Sequence, residues 1–380
     1  MSSNVFDFVM IVLSRKRQAL KFAILIAAIS ASYAFILPTY QTGEIILQDE
    51  HLNITPKEFY IANVIDDRSD RRAIAWLLPF NNTELNTKTA PFDFSSGFGA
   101  IKRFIQNSML QNTALHAIII HIKRFNIAET ATANGQAEGK AELAATFDLQ
   151  QGDETQHLVD YDGNANYTRN AGPPQDVEPT LRKMLENSLL YFNTWINKQA
   201  GSDIRLAKSV SVSFSDYSEK PEGDTVYYSV NRPLAWDDFR GGVPNSRYAA
   251  EVSPTVGYNE QTEVKNGVIR LNLEIKVCLP KSACWAKESV RGDAYTLNHE
   301  QRHFDLAKIA AIHFVQKIKS EELPVDNYDG PINVDYLDAY RQMDTLQRKY
   351  DAETTHGLDH FAQEKWNERI DRELKQLGVK

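Results

Sequence analysis

The sequence predicts an α+β chain in three parts: an apolar N-terminal segment (1–38), an α/β domain (40–217), and a second domain (220–380) that combines a mixed sheet with long helices. Three observations predict this. One apolar run precedes Pro38, strand and helix periodicities interleave between residues 58 and 200, and three long helical patterns close the chain after Asp293.

The N-terminal run comes first. Arg15, Lys16, Arg17 and Lys21 precede an apolar stretch of 16 residues from Phe22 to Leu37. That is short for a bilayer span unless Ala19 and Leu20 join it while Lys21 snorkels. Positive charge before the run keeps the N-terminus inside and sends the chain after Pro38 outward. Ser32-Tyr33-Ala34 offers a small-x-small cleavage site, so an uncleaved signal anchor and a cleaved signal peptide both fit. The apolar residues between Val5 and Leu13 suit an interfacial helix and favour the anchor. Membrane contact is therefore expected through residues 1–38. A net charge of −8 gives a nucleic-acid partner no electrostatic support.

In the α/β domain, Glu58 to Leu78 reads as strand, charged turn (Asp66 to Arg72) and strand. Asn81 to Ser95 is polar and reads as loop, and Phe98 to Leu115 as helix. His116 to Arg124, Ala141 to Gln150 and His157 to Thr168 read as strands. Glu178 to Ala200 is an amphipathic helix with Leu181, Leu185, Leu189, Phe192 and Ile196 on one stripe. His116 and His121 should face opposite sides of their strand, and the domain carries no recognisable chemistry. Pro, Gly and charge concentrate at Ser218 to Asp224, which marks the boundary.

The second domain opens with a strand at Val226 to Val230. A turn-rich segment, Leu234 to Pro244, follows, with Trp236 and Phe239 as core anchors. Ala249 to Tyr258 reads as one strand. Val268 to Val277 alternates cleanly and reads as a half-buried strand. Cys278 and Cys284 flank a short turn, and export to an oxidising compartment predicts a bridge between them. Helices are expected over Ala294 to Lys319, Val334 to Thr355 and Leu358 to Leu377.

The first of these helices carries His299-Glu300-Gln301-Arg302-His303. Histidines four apart leave one helix face a turn apart, so both imidazoles can ligate one zinc ion. Glu300 is then the candidate general base for the water that such an ion acidifies. Arg302 should face away from the metal. A catalytic zinc site takes a third protein ligand, and the best source is the segment Tyr350 to Gly357. His356, near the break between the last two helices, is the expected ligand, with Asp351 and Glu353 as alternatives. Asp305 is expected to orient an imidazole, and Tyr350 to sit beside the ligands where it could stabilise an oxyanion.

Four motifs in order resemble one family. Trp236-x-Asp238-Phe239-x-Gly241, the Ala249-Ala250 pair, His299 to Asp305, and Tyr350-Asp351-x-Glu353-Thr354-x-His356-Gly357 are similar to the bacterial predicted secreted zinc-dependent protease family, catalogued largely as a domain of unknown function. The resemblance covers the second domain only. It implies a zincin-like metallopeptidase domain with His299 and His303 on zinc, Glu300 as base and the remaining ligand in Tyr350 to Gly357. The family's Ser-Trp before the metal helix appears here as Cys284-Trp285, a departure that a Cys278–Cys284 bridge would explain. The implied function is a zinc-dependent peptidase of the bacterial cell envelope acting on a peptide or protein substrate. It would be anchored in the inner membrane with its catalytic domain outside the cytoplasm, or be periplasmic or secreted after cleavage. A non-catalytic envelope scaffold and a hydrolase of cell-wall peptides are the alternatives.

Overall fold

The computed structural model describes residues 43–81, 84–85, 88–170 and 172–379. The expected membrane segment lies outside the described residues, and none of the described helices is long and apolar enough to cross a membrane. The described chain is a mixed α/β structure with five α-helices, and it holds two separate β-sheet cores.

The first sheet is built from β1 (Gly43–Ile45), β2 (Phe59–Asp66), β3 (Ala75–Leu77), β4 (Ala90–Phe94), β5 (His116–Ala131), β6 (Ala137–Gln151) and β7 (Glu154–Arg169). Its order is β1-β4-β3-β5-β6-β7, with β2 parallel to β5. Along β6, Ala141, Leu143, Ala145, Phe147 and Leu149 are buried while their neighbours are not, the period-2 pattern of a sheet with one packed face. Helix α2 (Glu178–Gln199) covers that face. Its Phe192 ring stacks on Phe147 at 4.3 Å and meets Phe59 edge-on at 4.8 Å. Helix α1 (Phe98–Asn107) is shorter than its sequence pattern, because the Ser108 hydroxyl turns back onto the Phe104 carbonyl at 2.5 Å. The polar stretch read as loop contains β4, whose Pro91 and acidic neighbour disguise a strand. His116 meets the Leu206 carbonyl while His121 meets Asp67 and Asp148, so the two form no pair.

The division between the cores comes earlier than the Pro/Gly-rich stretch suggests. Leu206 belongs to the first core and Ala207 to the second. The next strand, β8 (Ser209–Asp216), already pairs within the second sheet. Ser218 to Asp224 is thus a connection inside the second unit, leading to β9 (Thr225–Tyr227).

The second sheet is organised around the alternating strand, β12 (Val268–Pro280). It has β8 and β9 on one side and β11 (Thr255–Lys265) along the other, so it is central and not an edge. The stretch read as one strand before it is broken at Pro254, which lacks the N–H a ladder requires. Its first part, β10 (Ala250–Glu251), pairs instead with β13 (Trp285–Ala286).

Helix α3 (Ala294–Lys319) packs Phe304, Ala307, Ala311 and Phe314 on this sheet. Leu306 and Ile309, on its other flank, pack against Tyr350, Trp366, Ile370 and Leu374 of α4 (Asp329–Thr354) and α5 (His360–Gln376). A helix enclosed on two sides has to bury its polar residues too, and α3 buries His299, Glu300, Arg302, His303 and Asp305. Helix α4 starts before Val334 because Pro331 is tolerated in a first turn.

The Trp236-to-Gly241 motif braces this arrangement. Asp238 is buried, accepts from Ala235 N at 2.8 Å, and is gripped by both Arg232 Nη atoms at 2.7 and 2.8 Å. Gly241 N donates to Cys284 O at 2.7 Å, and a Cβ there would lie 2.7 Å from Ser282 O. Leu234 N donates to Gln301 Oε1 at 2.8 Å, tying the segment to α3. The expected disulfide is not formed. Cys278 lies on the half-open face of β12 with Lys276, whereas Cys284 is buried in the core and its thiol contacts Pro280 O. Burial pushes the Cys284 thiol up to about 11.

Candidate metal centre

His299 and His303 leave the same face of α3 with ring centroids 5.0 Å apart. Asp351, from the last turn of α4, completes the group. Its Oδ1 is 3.3 Å from His299 Nε2 and 3.0 Å from His303 Nε2. One ligand atom from each of the three lies within 4.8 Å of the others. Two imidazole nitrogens and one carboxylate oxygen fit the donor set of a catalytic zinc site, which leaves a fourth position open.

The tautomers follow from two glutamines. Gln347 donates through Nε2 to the His303 carbonyl at 2.9 Å, which aims its Oε1 at His303 Nδ1 in a short hydrogen bond. Gln363 donates through Nε2 to Tyr350 Oη at 2.6 Å and to Asn367 Oδ1 at 3.0 Å. Its Oε1 therefore accepts from His299 Nδ1, at 2.9 Å. An acceptor at each Nδ1 keeps a proton there and turns each Nε2 to the common centre, where it donates to Asp351 when protonated and offers its lone pair to a metal when not.

The electrostatics agree with this arrangement. Burial opposes charge on His303, but the Asp351 hydrogen bond and the Glu300 charge outweigh it and raise its pKa. Burial pushes the Asp351 carboxyl up, yet hydrogen bonds from both histidines hold it well below the usual carboxylate range. Glu300 is 3 % exposed and lines the cavity above the group. Burial raises its pKa, against the pull of His303 and His299 and with support for the charged form from the Val252 backbone amide.

The other predicted residues sort as follows. His356 falls outside the three-ligand group. It stands on the cavity wall, Nδ1 3.4 Å from Asp351 Oδ1, with its ring 3.9 Å from that of Tyr248. The physical reason is the end of α4: Thr355, His356 and Gly357 all have positive φ, which swings His356 off the helix face that carries Asp351. Glu353 accepts from Trp366 Nε1 at 2.9 Å and is not at the centre. Asp305 takes Tyr228 Oη and Gln301 Nε2 at 2.9 and 3.0 Å and pairs with Arg302. Arg302 itself turns to α5, gripping Asp371 at 2.7 and 3.0 Å. Tyr350 is fully buried behind the histidines, stacked on His299 at 4.8 Å and with its hydroxyl on the His299 carbonyl at 3.3 Å, so it cannot meet an oxyanion in the cavity.

Gly357 closes the assembly. Its φ is +78°, and a Cβ there would lie 3.2 Å from His299 Cγ. Thr354 Oγ1 bonds the Tyr350 carbonyl at 2.8 Å and accepts from Gly357 N at 3.3 Å.

The cavity above these residues has a volume of about 610 Å³. Helix α3 contacts both the β10 segment and α4, and Tyr248 to Pro254, Tyr340, Asp344 and Leu358 contribute walls.

No family model matches this chain, and no curated protein sequence matches it. Among solved structures it is similar to protein XCC0632 from Xanthomonas campestris, described by the family model DUF330. That likeness has 9% identity and a TM-score of 0.29, over 42% of this chain and 99% of the other. A likeness so distant carries no argument about this site.

Gln347 and Gln363 hold the two imidazoles, and the sequence did not assign either of them to the site. Gln347 had a signal, since it is a polar residue four before Asp351 on an otherwise apolar stripe of α4. Gln363 had none, because its role depends on α5 folding back onto α3.

Proposed function

We propose that this protein is a zinc-dependent peptidase, with His299, His303 and Asp351 holding the metal and Glu300 as general base. The observation that carries this reading is the convergence of two His Nε2 atoms and Asp351 Oδ1 at the floor of an open cavity, with buried Glu300 beside them. When bound there, zinc supplies Lewis-acid polarisation of a carbonyl and acidifies water.

The chain's own residues do the rest. Glu300 takes a proton from the attacking water and returns it to the leaving amine; its buried place at the cavity floor beside the ligands suits it to both. Gln347 and Gln363 hold the imidazoles so that nothing has to reorganise. The extended stretch Ala249 to Pro254 offers backbone groups along one wall to an extended substrate. His356 stands where it meets that substrate. A zincin-like assignment of the second unit belongs to the same proposal, as does placement outside the cytoplasm through residues 1–38. A purely structural metal site has no use for a buried carboxylate beside an open cavity, which sets the peptidase above a scaffold.

The test is Glu300→Gln in the zinc-loaded protein. Zinc content should stay near one per chain while hydrolysis of a peptide mixture falls by about 10²–10⁴, the usual worth of a general base. Undiminished hydrolysis would remove Glu300 from the mechanism, and a wild type that takes up no metal would end the proposal.

A further inference from the structure

Apart from its four histidines, the ionisable groups of the cavity wall that are charged at neutral pH carry one sign. Five carboxylates line it, Glu251, Asp293, Glu300, Asp344 and Asp351, and no Lys or Arg does. A divalent ion at the centre offsets two of them, Asp351 and Glu300. Three remain. Asp293 is committed as the cap of α3, where it accepts from Thr296 N at 2.9 Å and Thr296 Oγ1 at 2.6 Å. Asp344 is paired by Arg348 at 2.5 Å, but both side chains are exposed, so the pair is weak and a substrate cation can compete for the carboxylate. Glu251 is exposed and has no ion partner among the described residues. Arg247 lies outside the lining, its guanidinium 4.9 Å from the Tyr248 ring.

The placement of the carboxylates gives this charge a direction. Glu251 adjoins Val252, whose amide supports Glu300, so it flanks the reacting centre. Asp344 lies two turns before Asp351 on the same face of α4, about 10 Å along the helix axis. An extended peptide advances about 3.3 Å per residue, so Asp344 stands about three residues from the bond at the metal. Tyr340, one turn further, adds an aromatic face that is 43% exposed. A carboxylate beside an aromatic ring receives a cationic head and its aliphatic stem.

Resting on the peptidase reading, we infer that the cleft selects polypeptides with a Lys or Arg side chain within about three residues of the scissile bond. The acidic walls attract that side chain and repel an acidic one at the same place.

The experiment uses the full chain, zinc-loaded, as the Glu300→Gln variant, so that binding is read without turnover. N-acetylated peptides that differ only in Lys, Leu or Glu at one position are titrated by fluorescence anisotropy at low salt. The Lys peptide should bind about tenfold more tightly than the Glu peptide, with Leu between them. Both Glu251→Gln and Asp344→Asn should shrink that ratio, and so should added salt. Equal binding of Lys and Glu peptides, no binding of either, or a ratio unmoved by both variants overturns the inference. So does a preference that appears only when the peptides carry a free α-amine, since the cation read would then be a chain terminus. Absence of hydrolysis by the wild type counts against the peptidase reading alone, because the binding ratio does not depend on it.

Discussion

Asp351→Ala should strip the protein of zinc, and His356→Ala should not. The two residues lie five apart across the end of α4, and of the two it is Asp351 that has an oxygen within 3.3 Å of both His299 Nε2 and His303 Nε2. Zinc held by four ligands in small domains is bound with about 10–16 kcal/mol, or roughly 2.5–4 kcal/mol per ligand. Losing Asp351 should therefore weaken binding by about 10²–10³-fold. His356 touches the centre only through Asp351 Oδ1, at 3.4 Å, so its removal should cost no more than about tenfold, the low end for a partner that orients a ligand. Competition against a chromophoric chelator at fixed pH gives both constants, and circular dichroism confirms that each variant is folded. If His356→Ala loses zinc while Asp351→Ala keeps it, the ligand set is wrong, and the left-handed turn at residues 355–357 must rearrange when metal binds. If both variants lose it equally, His356 is a fourth ligand and the open position required for hydrolysis is gone.

Two further outcomes follow from the same geometry. His303 carries a raised pKa, so in the zinc-free protein its pairing with Asp351 stabilises the fold below the unfolded value of 6.5 and is lost as pH rises through the higher folded value. Asp351 is depressed, so its share is present above 3.8 and is lost as pH falls through its low folded value. Zinc requires the neutral imidazole, so its binding near neutral pH should release a proton and tighten as pH rises. Calorimetry in buffers of different ionisation enthalpy reads that proton directly, and buffer-independent heats would contradict the pairing. Gly357→Ala should destabilise the chain by about 1–2 kcal/mol through its left-handed backbone. It should also weaken zinc by about tenfold through the contact with His299, at 3.2 Å from the added carbon. A variant with wild-type melting temperature and zinc affinity would show that the turn relaxes freely.

The sequence made the second unit more legible than the first because its signals are local. The alternation from Ile269 to Val277 and the spacing of His299 and His303 depend on residues within a turn or a pleat of each other. Pro254 was equally local and marks where one expected strand becomes two. Non-local contacts decided what was misread. Strand β8 looks like a tail of the first domain until β12 arrives some sixty residues later to pair with it. Asp305 sits at a spacing that suits an imidazole partner, but Arg302 and Tyr228 reach it first. The cysteines are close in sequence and on different sides of the sheet.

The segment Tyr350 to Gly357 shows how a motif can point to a place while backbone conformation decides which of its side chains converge there. Its characteristic residues support one centre in different ways, some directly and some by fastening the helices around it. Tyr350 supports both imidazoles from behind, Asp351 reaches their Nε2 atoms, and Glu353 fastens α5 through Trp366. Thr354 ties off the helix, and Gly357 allows the chain to pass within contact of His299. His356 is the most ligand-like residue of the set by chemistry, yet its backbone lies in the left-handed turn, two residues beyond Thr354, where the helix ends. In the proposed ligand set it is helix phase, and not ligand preference, that favours Asp351. With a carboxylate in that place, the imidazole of His356 stands on the cavity wall between Asp351 and Tyr248, where under the proposed function a substrate would meet it.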